Sequence, residues 1–192
     1  MIRTRLLILL FLLTSLSSQA QAKMEFEKRI DRSQFPATAL QWLDTHPEIP
    51  EQVRYYIEQD GQQTSYEVKF KAENKVFSIE FDTTGKLLDV EVLIRYKTIS
   101  PEIRSKIAAY LDSGYKRWRT DRVQKQYTLA ENGNDVLERI FLSDPGLIKN
   151  LELEVSVREE GLTKHYELTF GPTGELIGKR AIEGMTYDYK KF

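Results

Sequence analysis

The sequence predicts an α+β fold of two tandem units, each a helix followed by a four-stranded antiparallel sheet that is open on one face. Three observations support this prediction. The strand, turn and strand pattern FSIEFDTTGKLLDVEV at 77–92 recurs as YELTFGPTGELIGKRA at 166–181. A helical apolar stripe lies upstream of each copy, and polar residues alternate with the apolar strand positions. The predicted domains are a first unit at 23–97 and a second unit at 98–192.

The N-terminal segment has the pattern of an export signal. Arg3 and Arg5 precede an apolar run at 6–13, and the segment closes with the small-residue motif Ala-Gln-Ala that ends at Ala22. The apolar run is shorter than the roughly 20 residues that cross a bilayer. We therefore predict a signal peptide at 1–22, cleavage after Ala22, and a periplasmic or secreted chain with no transmembrane segment after cleavage.

Each predicted unit begins with a helix. In the second unit, Ser100 is a suitable N-cap, Pro101 fits the first turn, and Glu102 lies near the positive end of the helix dipole. The apolar stripes of the two helices are formed by Phe35, Ala39, Leu40 and Leu43, and by Ile103, Ile107, Ala108 and Leu111.

The predicted strands follow the helices and meet in turns. Phe77, Ile79 and Phe81 alternate with polar residues, as in a strand with one buried face. Asp82 can bond to its own backbone, and Gly85 accepts the left-handed conformation that ends such a turn. The corresponding glycine of the second copy, 89 positions later, closes the turn Gly-Pro-Thr-Gly.

The second half carries an insertion at about 130–150. The offset between matching strands rises by 17 residues across it. Asp135 and Glu138 form a plausible capping box for a short helix there. The insert is either a helical decoration that packs on the core or a protrusion that binds a partner. Its candidate contact residues are Phe141, Leu142, Leu147 and Ile148.

Charged residues occupy the outward strand positions, where we expect water on an open sheet face and cross-strand pairing with lysines. These acids include Glu67, Glu80, Glu91, Glu154 and Glu167. Without the leader the chain has 26 basic and 29 acidic residues mixed along it, so a nucleic-acid partner is not predicted. Basic residues cluster only around Trp118 and Arg119, which fits a solvated strand face as well as a binding surface. We take these two as further candidate contacts.

Catalytic, cofactor and metal sites are not predicted. The chain has no cysteine and only two histidines, His46 and His165, whose spacing supplies no triad or zinc site. The carboxylates are numerous but no pair is singled out by its spacing.

The final hairpin of the first half carries two motifs, Tyr-Glu-Val-Lys-Phe at 66–70 and Phe-Asp-Thr-Thr-Gly-Lys-Leu at 81–87. Through these motifs, residues 35–94 resemble a known family of exported bacterial proteins, the PepSY-like or β-lactamase-inhibitor-like group. The second half departs from it, since Gly171 replaces the turn aspartate. The resemblance implies a tandem α+β module that binds or inhibits something in the cell envelope, and it implies no catalytic residues.

The leading functional hypothesis is therefore an exported, non-enzymatic binding or inhibitory module of the envelope. It would act on an envelope protein or peptide through the polar sheet face, and through the insert if that protrudes. One alternative is an envelope enzyme that acts on wall or peptide substrates. The other is a passive structural or folding factor.

Overall fold

The computed structural model describes residues 22–128, 135–143, 147 and 149–183. Within that part of the chain, no helix is long and apolar enough to cross a membrane. The predicted signal peptide lies outside it, apart from Ala22. The helices are α1 (Ala37–Asp44), α2 (Pro101–Gly114) and α3 (Val136–Phe141). The strands are β1 (Glu25–Ile30), β2 (Arg54–Asp60), β3 (Gln63–Ala72), β4 (Lys75–Asp82), β5 (Leu87–Leu93), β6 (Trp118–Thr128), β7 (Asn150–Glu159), β8 (Leu162–Phe170) and β9 (Leu176–Ala181).

All nine strands belong to one antiparallel sheet in the order of the chain, β1 to β9. The prediction of two tandem units, each with its own sheet, is wrong. β5 pairs directly with β6 from Asp89↔Thr128 to Leu93↔Gln124, so the ladder continues across the predicted boundary. The sequence pattern could not show this pairing, because β5 and β6 are separated along the chain by a 3₁₀ turn at Tyr96–Thr98 and by α2.

Two turns attach the sheet to the helices that cover its apolar face. Asp82 Oδ1 accepts hydrogen bonds from the backbone of Thr84 and Lys86, and Gly85 closes the turn at φ +82°. A Cβ on Gly85 would lie 2.7 Å from the backbone nitrogen of Ala39 in α1. Gly174, at φ +87°, lies against α2 less tightly, since a Cβ there would be 3.3 Å from side-chain atoms of Ile103 and Lys106. Both glycines allow a positive φ and a close approach that a side chain would obstruct.

The apolar face carries two hydrophobic clusters. The first joins α1 and α3 to β3, β4 and β5, and the second joins α2 to β6, β7 and β8. Ile94 packs against both clusters. Val136, Leu137 and Ile140 of α3 are buried in the first cluster, so the helix of the insert is part of the core.

The opposite, polar face is concave, and this corrects the prediction of a face open to water. Irregularities in the pairing lie at Glu80/Phe81, Thr120/Arg122 and Thr169/Phe170, and such bulges bend a sheet. Several polar-face side chains are consequently almost without solvent contact. They include Glu67, Lys69, Ser78, Asp89, Gln124 and Glu167.

Candidate functional site

The two edge strands of the sheet meet at one corner. The backbone nitrogen of Lys23 donates to Ala181 O at 2.7 Å, and that of Glu183 donates to Lys23 O at 3.0 Å. The contact is an isolated parallel bridge between Lys23 and Ile182. This corner, which we call the seam, brings the beginning and the end of the sheet together.

The concave face encloses a cavity of about 630 Å³, a size that suits a small ligand or a short peptide segment. We call it the acidic chamber. It is lined by ten carboxylates and only four basic side chains among the described residues. The basic side chains are Lys23, Lys69, Arg122 and Arg180. The carboxylates are Glu25, Glu58, Asp60, Glu67, Glu80, Asp82, Asp89, Glu91, Glu152 and Glu154.

Ion pairs near the seam connect side chains of β2, β8 and β9 with Lys23 and Glu25 at the start of the sheet. Arg180 of β9 contacts Asp60 of β2 at 2.6 Å and Glu167 of β8 at 2.7 Å. Lys23 contacts Glu167 at 2.5 Å and Glu25 at 2.7 Å. Burial by itself would raise the pKa of Glu167, but the charges of Lys23 and Arg180 outweigh it and hold that pKa below its usual range. Glu167 is therefore an ionised group between two cations.

A second ion pair lies in the chamber floor. Lys69 is only 4% exposed and lies 2.8 Å from Glu67 of the same strand, and it also donates to Glu27 of β1. Ser78 donates to Glu67 from the neighbouring strand. Burial raises the pKa of Glu67 to about 7, although Lys69 opposes the shift. Lys69 is therefore the shared ion-pair partner of Glu67 and Glu27.

At other carboxyl groups in the chamber, burial and neighbouring acids outweigh the nearby cations. Burial raises the pKa of both Asp89 and Glu91 to about 8, and neighbouring acids add to the effect. Burial, with the charges of Glu25 and Glu67, raises the pKa of Glu58 to about 10. The pKa of Glu152 is also raised well above its usual value, first by burial and then by Glu91. The raised pKa values of Asp89, Glu91 and Glu58 favour the protonated form of these three groups at neutral pH.

Three carboxylates offer the best arrangement for a single cation among the described residues. Glu25, Glu27 and Glu58 each offer an oxygen, and these atoms all lie within 4.8 Å of one another. Glu27 stands directly opposite Glu58 in the β1–β2 ladder. Hard cations such as Ca²⁺ prefer such oxygen ligands. Glu25 and Glu58 line the chamber and Glu27 lies beside it. Glu25 is already paired with Lys23 and Glu27 with Lys69, so a metal ion there would compete with two lysines.

The predicted contact residues around Trp118 lie outside the chamber. Trp118 begins β6 and is half-buried, with its indole nitrogen donating to Asp112 Oδ1 at 2.8 Å. Its ring meets Tyr96 edge to face at 6.2 Å. Arg119 is exposed and pairs with Asp121 at 2.6 Å. Both residues therefore already have partners within the chain, namely Asp112 and Tyr96 for Trp118 and Asp121 for Arg119.

The predicted contact residues of the insert are divided between core and surface. Phe141 stacks on Phe77 at 5.1 Å and packs against the first hydrophobic cluster. Leu147 packs against the same cluster, whereas Leu142 is 73% exposed. Ile148 lies outside the described residues. The described contact candidates therefore do not form one surface.

Sequence reasoning assigned several chamber acids, Glu152 among them, to a water-facing surface, and it did not identify Glu58 or Asp60 as members of that face. A signal was present in the pairing of like charges. Glu67 is directly opposite Glu80, and Glu80 is directly opposite Asp89 on the next strand. Like charges in such positions are destabilising. Because repeated acid-to-acid pairs do not stabilise the sheet, they could have pointed to this face as a candidate site.

The comparisons with known proteins show what this fold is similar to. No protein-family model matches the chain, and no curated protein matches it in sequence. A DUF2874 family protein from Bacteroides uniformis has a TM-score of 0.53 at 18% identity, covering 81% of this chain and 93% of that chain. Another from Bacteroides ovatus has a TM-score of 0.52 at 15% identity, covering 80% and 91%. A BLIP-like protein from Bacteroides fragilis has a TM-score of 0.49 at 18% identity, covering 82% and 95%.

The chain therefore shares the fold of the two DUF2874 family proteins. At these identities the likeness concerns the fold alone. The resemblance of the sequence to PepSY-like proteins stays a prediction.

Proposed function

We propose that this chain is an exported binding protein that takes a positively charged segment of an envelope protein or peptide into the acidic chamber. The observation that carries the proposal is the imbalance of the lining, ten carboxylates against four basic groups around one cavity. The N-terminal pattern of arginines, apolar run and small-residue motif supports export.

The raised pKa values support a cationic ligand in particular. Carboxyl groups that hold protons in the free protein become acceptors when a lysine or arginine side chain enters and replaces those protons. Asp89, Glu91 and Glu58 are in this condition. Binding should therefore release protons and strengthen as the pH rises from about 6 to about 8. An anionic ligand would show the opposite dependence.

The test is calorimetric titration with a trilysine peptide in buffers that differ in ionisation enthalpy. We expect proton release on binding, and roughly tenfold weaker binding in Glu58→Gln and Glu152→Gln because each removes a charge-assisted contact. Glu102→Gln is the matched control, since this exposed carboxylate lies on α2, outside the chamber. Equal affinity of wild type, Glu58→Gln and Glu152→Gln would overturn the proposal, as would tighter binding of triglutamate than of trilysine.

A further inference from the structure

A second cavity lies on the apolar face of the sheet, away from the acidic chamber. It also has a volume of about 630 Å³, and it is bounded by α3, by the segment that leads into the 3₁₀ turn at Tyr96–Thr98, and by β4, β5 and β6. Among the described residues that line it, five are basic and none is acidic. The basic residues are Lys75, Arg95, Lys125, Arg139 and Lys149. We call this cavity the basic groove.

The floor and walls of the groove are apolar. Val92 is almost fully buried, and Tyr127 and Ile140 are buried beside it. Ile94 and Leu147 complete the apolar lining. The groove lies near the junction of the two hydrophobic clusters, since Ile94 packs against both and Tyr127 belongs to the first. The insert therefore forms one wall of the groove, through α3 and Leu147.

The position of Lys125 is unusual for a lysine. It lies between Val123 and Tyr127 on the face of β6 that carries the core, so its ammonium group emerges through an apolar surface. Burial lowers its pKa, and the charges of Lys149 and Lys75 lower it further. Lys75 also pairs with Glu73 at 3.7 Å, and Glu73 does not line the groove. The gathered positive charges repel one another, and an anion placed among them would relieve that repulsion.

We propose that the basic groove binds an anionic amphiphile, a single alkyl chain with a carboxylate head, with the chain on the apolar floor and the head among the lysines. Charge complementarity selects the head, and the apolar lining selects the tail. The volume fits one such molecule, in contrast to the extended contact that a membrane surface would make.

The strands that line the groove argue against an acidic peptide as the occupant. β4, β5 and β6 are interior strands, each paired on both sides. A peptide therefore finds no free strand edge for its backbone groups, and burying them unpaired against an apolar floor is unfavourable. An alkyl chain has no such groups, so the same floor stabilises it through the hydrophobic effect.

The experiment is a calorimetric titration of the protein with dodecanoate below its micelle concentration. We expect one molecule bound per chain, with monododecanoyl glycerol and acetate each at least about tenfold weaker, since each lacks one half of the recognised chemistry. Lys125→Gln and Lys149→Gln should each weaken dodecanoate binding roughly tenfold. Lys116→Gln, an exposed lysine that does not line the groove, should not change it.

The apolar half of the site has its own matched pair of variants. Leu93→Gln, in the groove, should weaken dodecanoate binding several-fold, whereas Leu162→Gln, exposed in the hairpin between β7 and β8, should not. Glu152→Gln, in the acidic chamber, should leave dodecanoate binding unchanged, which separates this site from the chamber. Unfolding midpoints confirm that each variant is folded.

Three results would overturn the proposal. The first is equal affinity for monododecanoyl glycerol and dodecanoate. The second is tighter binding of hexaglutamate, or of vesicles of phosphatidylglycerol, than of dodecanoate. The third is an equal loss of affinity in Lys116→Gln and Lys125→Gln.

Discussion

At the scale of single residues, Lys69 is the cation on which the chamber floor depends. It is nearly inaccessible to water and is shared by Glu67 and Glu27. Replacing it with methionine keeps the bulk of the side chain but leaves two acids without their partner. Breaking a buried pair in this way typically lowers stability by about 3 kcal/mol or more.

We therefore expect Lys69→Met to lower the free energy of unfolding by roughly 3 kcal/mol near pH 8. The loss should be smaller near pH 5, because Glu67, whose pKa burial raises to about 7, is then protonated and carries no unpaired charge. Lys71→Met, two residues along the same strand and exposed, is the matched control. Urea denaturation at both pH values measures the difference, and similar losses in the two variants would contradict this role for Lys69.

The unbalanced acids predict the pH dependence of stability. The folded-state pKa values of Asp89, Glu91 and Glu58 are raised, so between roughly pH 5 and pH 8 the folded chain binds more protons than the unfolded chain. The free energy of unfolding should accordingly fall as the pH rises through this window.

Glu91→Gln should reduce this dependence, because glutamine is neutral at every pH. We expect the variant to exceed wild type by at least about 1 kcal/mol near pH 9 and to match it more closely near pH 5. Chemical denaturation across the range measures both curves. A wild-type stability that rises from pH 5 to pH 9 would contradict the assignment.

At the scale of elements, the turn between β4 and β5 fixes α1 on the sheet. Gly85→Ala would place a methyl group 2.7 Å from the backbone of Ala39 at a positive φ, so we expect a loss of roughly 2–4 kcal/mol. Gly161 has nearly the same φ, +81°, with nothing within 4 Å of a built Cβ. Gly161→Ala should therefore lose only about 1 kcal/mol. Equal losses by thermal or chemical denaturation would show that the contact with α1 is unimportant.

For the insert, two roles were predicted, packing on the core and binding a partner, and variants of Phe141 and Leu142 test the packing role. Because Phe141 stacks on Phe77, Phe141→Ala should lower stability by about 3 kcal/mol. Leu142→Ala, at the neighbouring exposed position, should change it by less than about 0.5 kcal/mol. Denaturation midpoints measure both effects. A large loss in Leu142→Ala without one in Phe141→Ala would contradict the packing of Phe141 on the core.

The strands show which elements sequence can predict. β4 and β8 follow from strict alternation, as at Phe77, Ile79 and Phe81, where one face is buried and the other polar. β1 was missed because Phe26, the apolar residue between Glu25 and Glu27, is itself 59% exposed. Its place in the sheet comes from pairing with β2 and from the seam, and both are long-range contacts that no local pattern encodes.

At the scale of the whole molecule, the candidate site exists because the polar face is concave, and this curvature could not be predicted from the sequence. The alternation of polar and apolar residues places Glu67 and Glu167 on the face opposite the core. The same alternation is expected for a flat sheet in water and for a curved sheet around a cavity, so it does not predict that both residues are buried. The curvature depends on bulges and on the meeting of β1 with β9. The composition of the chamber was therefore visible in the sequence, whereas its enclosure was not.

Arg180 should hold this shape, because it links β9 to β2 and β8. In Arg180→Met we expect amide hydrogens at the seam, those of Lys23, Ile182 and Glu183, to exchange at least about tenfold faster. The amide of Val155, in the interior strand β7, should keep its wild-type rate. Mass-spectrometric hydrogen exchange tests this, and an equal acceleration at all positions would mean global destabilisation instead.

The seam also bears on self-association. An open sheet ends in two strands whose free backbone groups invite pairing with another copy, and proteins must block them. Here the backbone groups at one end of each edge pair with each other, at Lys23 and Ile182. Farther along β1, the charges of the exposed Lys28 and Arg29 oppose the addition of another strand. The same contacts that enclose the chamber thus protect the chain from edge-to-edge aggregation.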